Sequence, residues 1–278
     1  MKQISLRETV PANWNELQDE LFYESWNTSL ERFRSPFVFR GVSDKNHTLA
    51  TSLMRLGGNY PQLERHLLRN FRKYAHREVV EKDSVWHWLS RAAHHGLPTR
   101  LLDWTYSPLV ALHFVTADIS KMHLDGAVWT VNYIEAAKEL PRRLRSRLAA
   151  EGSNVFTVEL LSMVPARRQP VESTFHVNSL EELDRLSRKE FLLFLEPPSL
   201  DDRIVNQFAL FSMISNPRTP VDAWLAKHPH LYRKVIVPAS LKWEVRDKLD
   251  QANITERVLV GGLDGLTAWL RRHYSPKG

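Results

Sequence analysis

The sequence predicts one α+β domain, a sheet of short strands with helices inserted between them. Three observations predict it. Short alternating or apolar strand patterns recur between helical periodicities along the 278 residues. No internal repeat, low-complexity tract or linker divides the chain. A content of 43% apolar and 25% charged residues suits one packed core.

The elements follow in order. Residues 1–35 read as a peripheral helical segment, with Trp14, Leu17, Leu21 and Phe22 at helical spacing. Residues 36–273 form the main domain. Phe37 to Gly41 is a strand pattern ending at a glycine, and Asp44 to Asn46 is turn material. Pro61 opens a helix whose Leu63, Leu67, Leu68, Phe71 and Tyr74 share a face. Ser84 fits the N-cap of a second helix through His95, with Gly96 at its C-terminal end. Ser107-Pro108 starts another helix carrying Leu109, Leu112 and His113. Gly126 to Tyr133 alternates as a strand, and Ile134 to Ala150 is a basic helical stretch. Val155 to Val164, Phe191 to Leu195, Lys234 to Val237 and Glu256 to Val260 are further strand patterns. Ser240 can cap a helix through Ala252, and Leu263 to His273 is the last helix.

Composition excludes several classes. Without cysteine there is no disulfide or thiolate chemistry. Met1 to Val10 lacks the apolar region of a secretory signal. No apolar run nears the roughly 18 residues of a membrane span, and Pro108 to Ala117 is broken by His113. The expectation is a cytoplasmic protein with no membrane partner. The net charge of +6 gathers in Arg142-Arg143 with Arg145 and Arg147, in Arg167-Arg168 and in Arg271-Arg272. Such clusters suit either a solvated surface or a phosphate-bearing partner. There is no Gly-x-Gly-x-x-Gly, P-loop lysine or Gly-x-Ser-x-Gly pattern.

Polar chemistry concentrates in His94-His95-Gly96-Leu97-Pro98-Thr99-Arg100-Leu101-Leu102-Asp103-Trp104-Thr105. Imidazole, guanidinium, carboxylate, indole and hydroxyl groups crowd a backbone fixed by Gly96 and Pro98, as in loops that carry function. Arg40 can bind a diphosphate bidentately, and Gly41 lets a ligand approach the backbone; the structural alternative pairs Arg40 with Asp103. Thr105 and Ser107 offer hydroxyls, Ser107 being equally a helix cap. Adjacent histidines point about 100° apart on a helix, so they suit one metal poorly and no metal site is expected; one of His94 and His95 suits a ligand phosphate, ribose or base, and the other reads as a buried histidine hydrogen-bonded to backbone. Arg100 and Asp103, three apart, can pair and aim Trp104, which can stack on a ligand ring or fill the core.

Phe39-Arg40-Gly41 and the His-His-Gly-Leu-Pro-Thr-Arg-Leu-Leu-Asp-Trp-Thr stretch resemble the FRG domain family, named for its Phe-Arg-Gly motif. Arg203 to Phe211, Lys234 to Val237 and Gly262-Leu263-Asp264-Gly265-Leu266 resemble its later segments, extending the likeness over about residues 35–272. Ala93 stands where the family usually carries Gln, and Ala209 where it favours Gly. More distantly, Val38-Phe39-Arg40-Gly41, then Trp104-Thr105-Tyr106-Ser107 running into Val110-Ala111-Leu112-His113-Phe114, resemble ADP-ribosyltransferases of the Arg-Ser-Glu kind.

That likeness implies a transferase-like sheet core that binds NAD as substrate and cleaves its nicotinamide glycosidic bond. ADP-ribose would pass to a protein, a nucleic acid or water. It implies Arg40 at the diphosphate, Thr105 with a neighbouring histidine at the ribose, and Gln207 or Glu196 at the reacting centre. Gly41, His94, His95, Arg100, Asp103, Trp104 and Ser107 would complete the binding site. Such an activity would be toxic, so a toxin or phage-defence effector with a cognate inhibitor is the expectation. The rival is a non-catalytic module that binds a nucleotide or nucleic acid through the same pocket and the basic surface. A hydrolase using Asp103 and His95 as an acid–base pair is a third reading.

Overall fold

The computed structural model describes residues 8–75, 84–164, 179–199 and 201–275. Ten strands appear in chain order: β1 (Glu8–Thr9), β2 (Trp26–Asn27), β3 (Arg32–Phe33), β4 (Phe37–Val42), β5 (Leu102–Thr105), β6 (Gly126–Asn132), β7 (Phe156–Thr157), β8 (Leu192–Glu196), β9 (Ala209–Ile214) and β10 (Tyr232–Val237). Eight of them form one sheet, ordered β1-β10-β6-β4-β5-β9-β8-β7, while β2 and β3 form a separate pair. The six inner strands are antiparallel to their neighbours; β1 and β7 add at the edges in parallel. The mixed α+β architecture expected from the sequence is present.

Period-2 alternation sorts the apolar side chains between the two faces. One face carries a continuous core: Val38 and Val42 of β4, Leu102 and Trp104 of β5, Ala127 and Val131 of β6, Leu192 and Phe194 of β8, and Leu210 and Ile214 of β9. The other face carries two cores. Phe37 and Phe39 of β4, Val128 of β6 and Val235 and Val237 of β10 pack with Ala111, Leu112 and Val115. Leu193 and Leu195 of β8 and Phe211 and Met213 of β9 pack with Trp88, Leu89 and Ala92. Two helices thus cover the two halves of that face, Pro108–Thr116 over one and Val85–His94 over the other.

Local chemistry starts these helices where the sequence predicts. Ser84 Oγ accepts from His87 N and Ser107 Oγ accepts from Val110 N, caps of about 1 kcal/mol each. Gly96 has φ +81°, the left-handed conformation that ends a helix. The helix Tyr60–Ala75 lies where Pro61 announces it.

Several elements differ from the sequence reading. Within residues 8–35 only Trp14–Leu21 is α-helix; Glu8–Thr9 joins the sheet edge and Trp26–Phe33 makes the small hairpin. The basic stretch splits into helices Tyr133–Lys138 and Arg142–Ala150, because Pro141 interrupts it. Of Val155–Val164 only Phe156–Thr157 is strand: Thr157 Oγ1 accepts from Leu160 N and starts the helix Val158–Ser162. Glu256–Leu259 is a helix, not a strand, with Thr255 at its N-cap and the Arg272 guanidinium holding Glu256. The helix after β10 runs Ala239–Gln251 with Pro238, not Ser240, at its cap, and the last helix is Gly262–His273. Strand β9 went unread because Arg203–Phe211 contains both a short helix, Asp202–Asn206, and the strand start. Arg167-Arg168 lies outside the described residues. Among the described residues no helix is long and apolar enough to cross a membrane.

Candidate functional site

Between the two cores of the divided face lies a cavity of about 590 Å³. Its floor follows from strand register. Phe39 pairs with Thr105, Thr105 with Ala209, and Asp103 with Phe211. Phe39 and Gly41, Asp103 and Thr105, and Ala209 and Phe211 therefore share a face, and all line the cavity. Phe114 from the helix Pro108–Thr116 forms one wall; Ala93, His94, His95 and Gly96 at the end of Val85–His94 form another. Arg203, Ile204 and Gln207 close the third side.

Arg40 sits at the seam of the sheet. Strands β4 and β5 pair at one position, Phe39↔Thr105, and beyond it the Arg40 guanidinium bridges them. Its Nη1 donates to the Asp103 carbonyl at 2.6 Å and lies 3.7 Å from the Asp103 carboxylate. Its Nε is buried without a hydrogen-bond partner among the described residues. Burial and the Arg55 charge pull its pKa down while Asp103 raises it, and a guanidinium stays charged throughout. The Asp103 side chain is 75% exposed, because Leu102 and Trp104 take the opposite, buried face. Among the described residues that line the cavity Asp103 is the only carboxylate.

The paired histidines separate in role. His94 Nε2 makes a hydrogen-bonded contact with Asp201 Oδ2. Asp201 also caps the helix Asp202–Asn206 by accepting from Ile204 N, so His94 fastens one wall to another. Partial burial opposes ionisation of Asp201, but those hydrogen bonds outweigh it and lower its pKa. Partial burial and the neighbouring His94 and Arg91 lower the pKa of His95, leaving a neutral imidazole at the cavity. No group of three or more potential metal ligands occurs among the described residues.

Other sequence candidates have structural duties. Thr105 Oγ1 donates to the Gln207 carbonyl at 2.7 Å and accepts from Ser107 N, so its one hydroxyl proton is committed. Gln207 lines the cavity, while its Nε2 donates to the Leu259 carbonyl at 2.8 Å. The Trp104 indole donates to Ser212 Oγ and packs edge-on against Phe194 in the opposite core. Three candidates lie outside the lining. Ser107 is the helix cap. Glu196 accepts from the Tyr106 hydroxyl at 2.8 Å. Arg100 does not pair with Asp103: it is buried, with Nε on Glu64 at 2.7 Å and Nη1 on both oxygens of Asp184. That triad anchors the Thr99–Arg100 loop, and Thr99 binds Ser52 and Leu53 as well.

Gly41 has a second reason besides the one its sequence invites. A Cβ there would lie 1.9 Å from the Ala111 carbonyl oxygen, so the glycine admits the helix Pro108–Thr116 against β4 while it also lines the cavity. The two positions that depart from the family pattern, Ala93 and Ala209, both line the cavity. Ala209 does not adopt the left-handed conformation that would demand glycine; the adjacent Phe208 does, at φ 49°. Ile204 and Arg203, missed by sequence reasoning, reach the cavity because Asp201 starts a helix beside it. The Asp201-x-x-Ile204 capping pattern was the available signal.

Residues 35–123, about a third of the chain, match the family model described as the FRG domain. The match contains β4, β5, the histidine-bearing helix end and Phe114, and stops before Arg203 and Gln207. No curated protein and no solved structure matches the chain.

Proposed function

We propose that this FRG-domain chain binds NAD in the cavity and cleaves its nicotinamide glycosidic bond, passing ADP-ribose to a macromolecule or to water. The observation that carries the reading is Arg40 beside Asp103 at the seam of β4 and β5: a charged guanidinium whose buried Nε has no partner among the described residues adjoins the one carboxylate that those residues give the lining. The volume suits a small-molecule ligand. Arg40 and Arg203 would hold the diphosphate by charge-assisted hydrogen bonds. The bond to nicotinamide breaks with its electron pair leaving on the pyridine nitrogen, and the ribose carbon becomes cationic. Asp103, exposed on the cavity side, would stabilise that charge. An acceptor oxygen then bonds to the carbon and releases its proton, for which the neutral His95 is a fitting base.

This assignment gives the electrostatic role to Asp103 in place of Glu196, which is tied to Tyr106 outside the lining, and of Gln207, which is neutral. Free nicotinamide after incubation with NAD is the test. Wild type should release it; Arg40→Ala should lose NAD binding. Asp103→Asn should bind NAD but release nicotinamide at least about 100-fold more slowly. Full activity in Asp103→Asn would remove the carboxylate from the reaction. The second reading, a binding module without turnover, is favoured by one observation, the engagement of the Thr105 and Gln207 polar groups within the protein. Saturable NAD binding with no nicotinamide release would select it.

A further inference from the structure

We infer that the helix Arg142–Ala150 is a docking surface for the phosphate backbone of a nucleic acid. Arg142, Arg143, Arg145 and Arg147 fall within its first six residues. Arg142, Arg143 and Arg145 are exposed. Among the described residues no carboxylate pairs with Arg142, Arg145 or Arg147: Arg145 donates to the Lys138 carbonyl, Arg147 to the Met163 sulfur, and the Arg147 Nε is buried with no partner. Folding of the helix does not call for this charge. Positive groups oppose the macrodipole at a helix N-terminus, the first turn holds no acidic residue, and Pro141 supplies no side-chain cap. The charge therefore costs stability, and at Arg142, Arg143 and Arg145 it is exposed.

Geometry selects the partner. From 142 to 147 the helix rises about 7.5 Å, roughly the rise of two phosphates along one strand of a duplex. Leu144 and Leu148 are buried in the core and the exposed apolar residues of the helix are the small Ala149 and Ala150, so its outer face offers guanidinium groups and no large apolar side chain to insert into a lipid surface. That distinguishes a phosphodiester backbone from a membrane. The same core holds Trp88, Leu89 and Ala92 of the helix whose end lines the cavity. The basic helix and the helix whose end walls the cavity therefore pack into one core.

The test is fluorescence anisotropy of labelled DNA, duplex and single-stranded, with no NAD present, so its result is independent of what the cavity holds. Wild type should bind, with affinity falling steeply between about 50 and 200 mM salt. Arg142→Gln with Arg145→Gln should weaken binding at least about tenfold and make the duplex salt slope shallower by about 2. Arg142→Lys with Arg145→Lys should restore most of it. Arg32→Gln with Arg34→Gln, on the β2–β3 hairpin, should leave it unchanged. Absence of DNA binding by wild type, an equal loss in both Gln pairs, or binding to anionic phospholipid vesicles but not to DNA would each overturn the inference.

Discussion

At the scale of single residues, the Phe39-Arg40-Gly41 triplet has three separate physical jobs. Phe39 fills the core under Ala111 and Val115, Arg40 ties β4 to β5, and Gly41 admits a helix backbone. The Gly41→Ala variant must push the helix Pro108–Thr116 away from β4, since a carbonyl oxygen cannot yield as a flexible side chain can. The expected loss is about 1–3 kcal/mol or more, read as a lower denaturant midpoint with an unchanged slope. A wild-type midpoint would show that the helix shifts freely. Asp103 was legible as a polar residue between apolar neighbours. Its orientation was not, because only the pairing with Phe211 fixes which face it takes.

At the scale of elements, the loop between Gly96 and Leu101 is rigid for reasons its sequence conceals. Arg100 looks like a ligand-binding guanidinium, yet its partners Glu64 and Asp184 lie 36 and 84 positions away. Burial raises Asp184 to about 6 against the pull of Arg100, so the triad is stable only as a complete set. Glu64→Gln leaves a buried guanidinium short of one charge partner, and Arg100→Met leaves the buried Glu64 and the half-buried Asp184 without theirs. Each should cost about 3–5 kcal/mol, Arg100→Met the more, measured by chemical denaturation. The double change Glu64→Gln with Arg100→Met should cost less than the two separate losses added together. Strict additivity would mean the pair is not coupled. The helix caps at Ser84 and Ser107 were readable because both bonds are local. The helix Glu256–Leu259 was not. Glu256 to Val260 ends in Val-Leu-Val and reads as a strand, and what holds residues 256–259 as a helix is Arg272 on Glu256 and the Gln207 and Asn206 amides on the carbonyls of Leu259 and Val258.

At the scale of the molecule, a buried polar network joins the cavity wall to the C-terminal helices. His113 Nδ1 accepts from Arg246, which also reaches Asp250; Asp250 and Glu256 are both held by Arg272. Burial and the Arg246 charge push His113 down to about 4, so the folded protein keeps it neutral. In the unfolded chain it takes up a proton below about 6.5. Between those values the unfolded state binds more protons, and stability falls as pH falls. The loss attributable to His113 amounts to about 3 kcal/mol by pH 4. Burial opposes ionisation of Glu256, but Arg272 holds it ionised down to about 2, adding a loss below its ordinary value of 4.5. Asp184, raised, acts in the opposite sense between 3.8 and about 6. The difference between wild type and His113→Asn isolates the histidine. The variant should be less stable at pH 7, and the gap should close as pH drops toward 4. A gap constant with pH would place the His113 proton elsewhere.

The sequence by itself determined what acts over a few residues: the α+β class from alternating periods, the helix starts at Ser84 and Ser107, the glycine turn at Gly96, and the concentration of polar groups from His94 to Thr105. Each depends on backbone geometry or side-chain spacing within one or two turns. Only the tertiary structure decided which of those polar groups face a common space. Strand register put Asp103 beside Arg40 and turned the Trp104 indole into the opposite core. Distant carboxylates took Arg100 out of the site, and Tyr106 took Glu196. Ala111 gave Gly41 a second reason. The physical cause is the same throughout: a buried charge or a close backbone approach is satisfied by whatever the fold brings to it, and partners separated by tens of residues leave no local pattern.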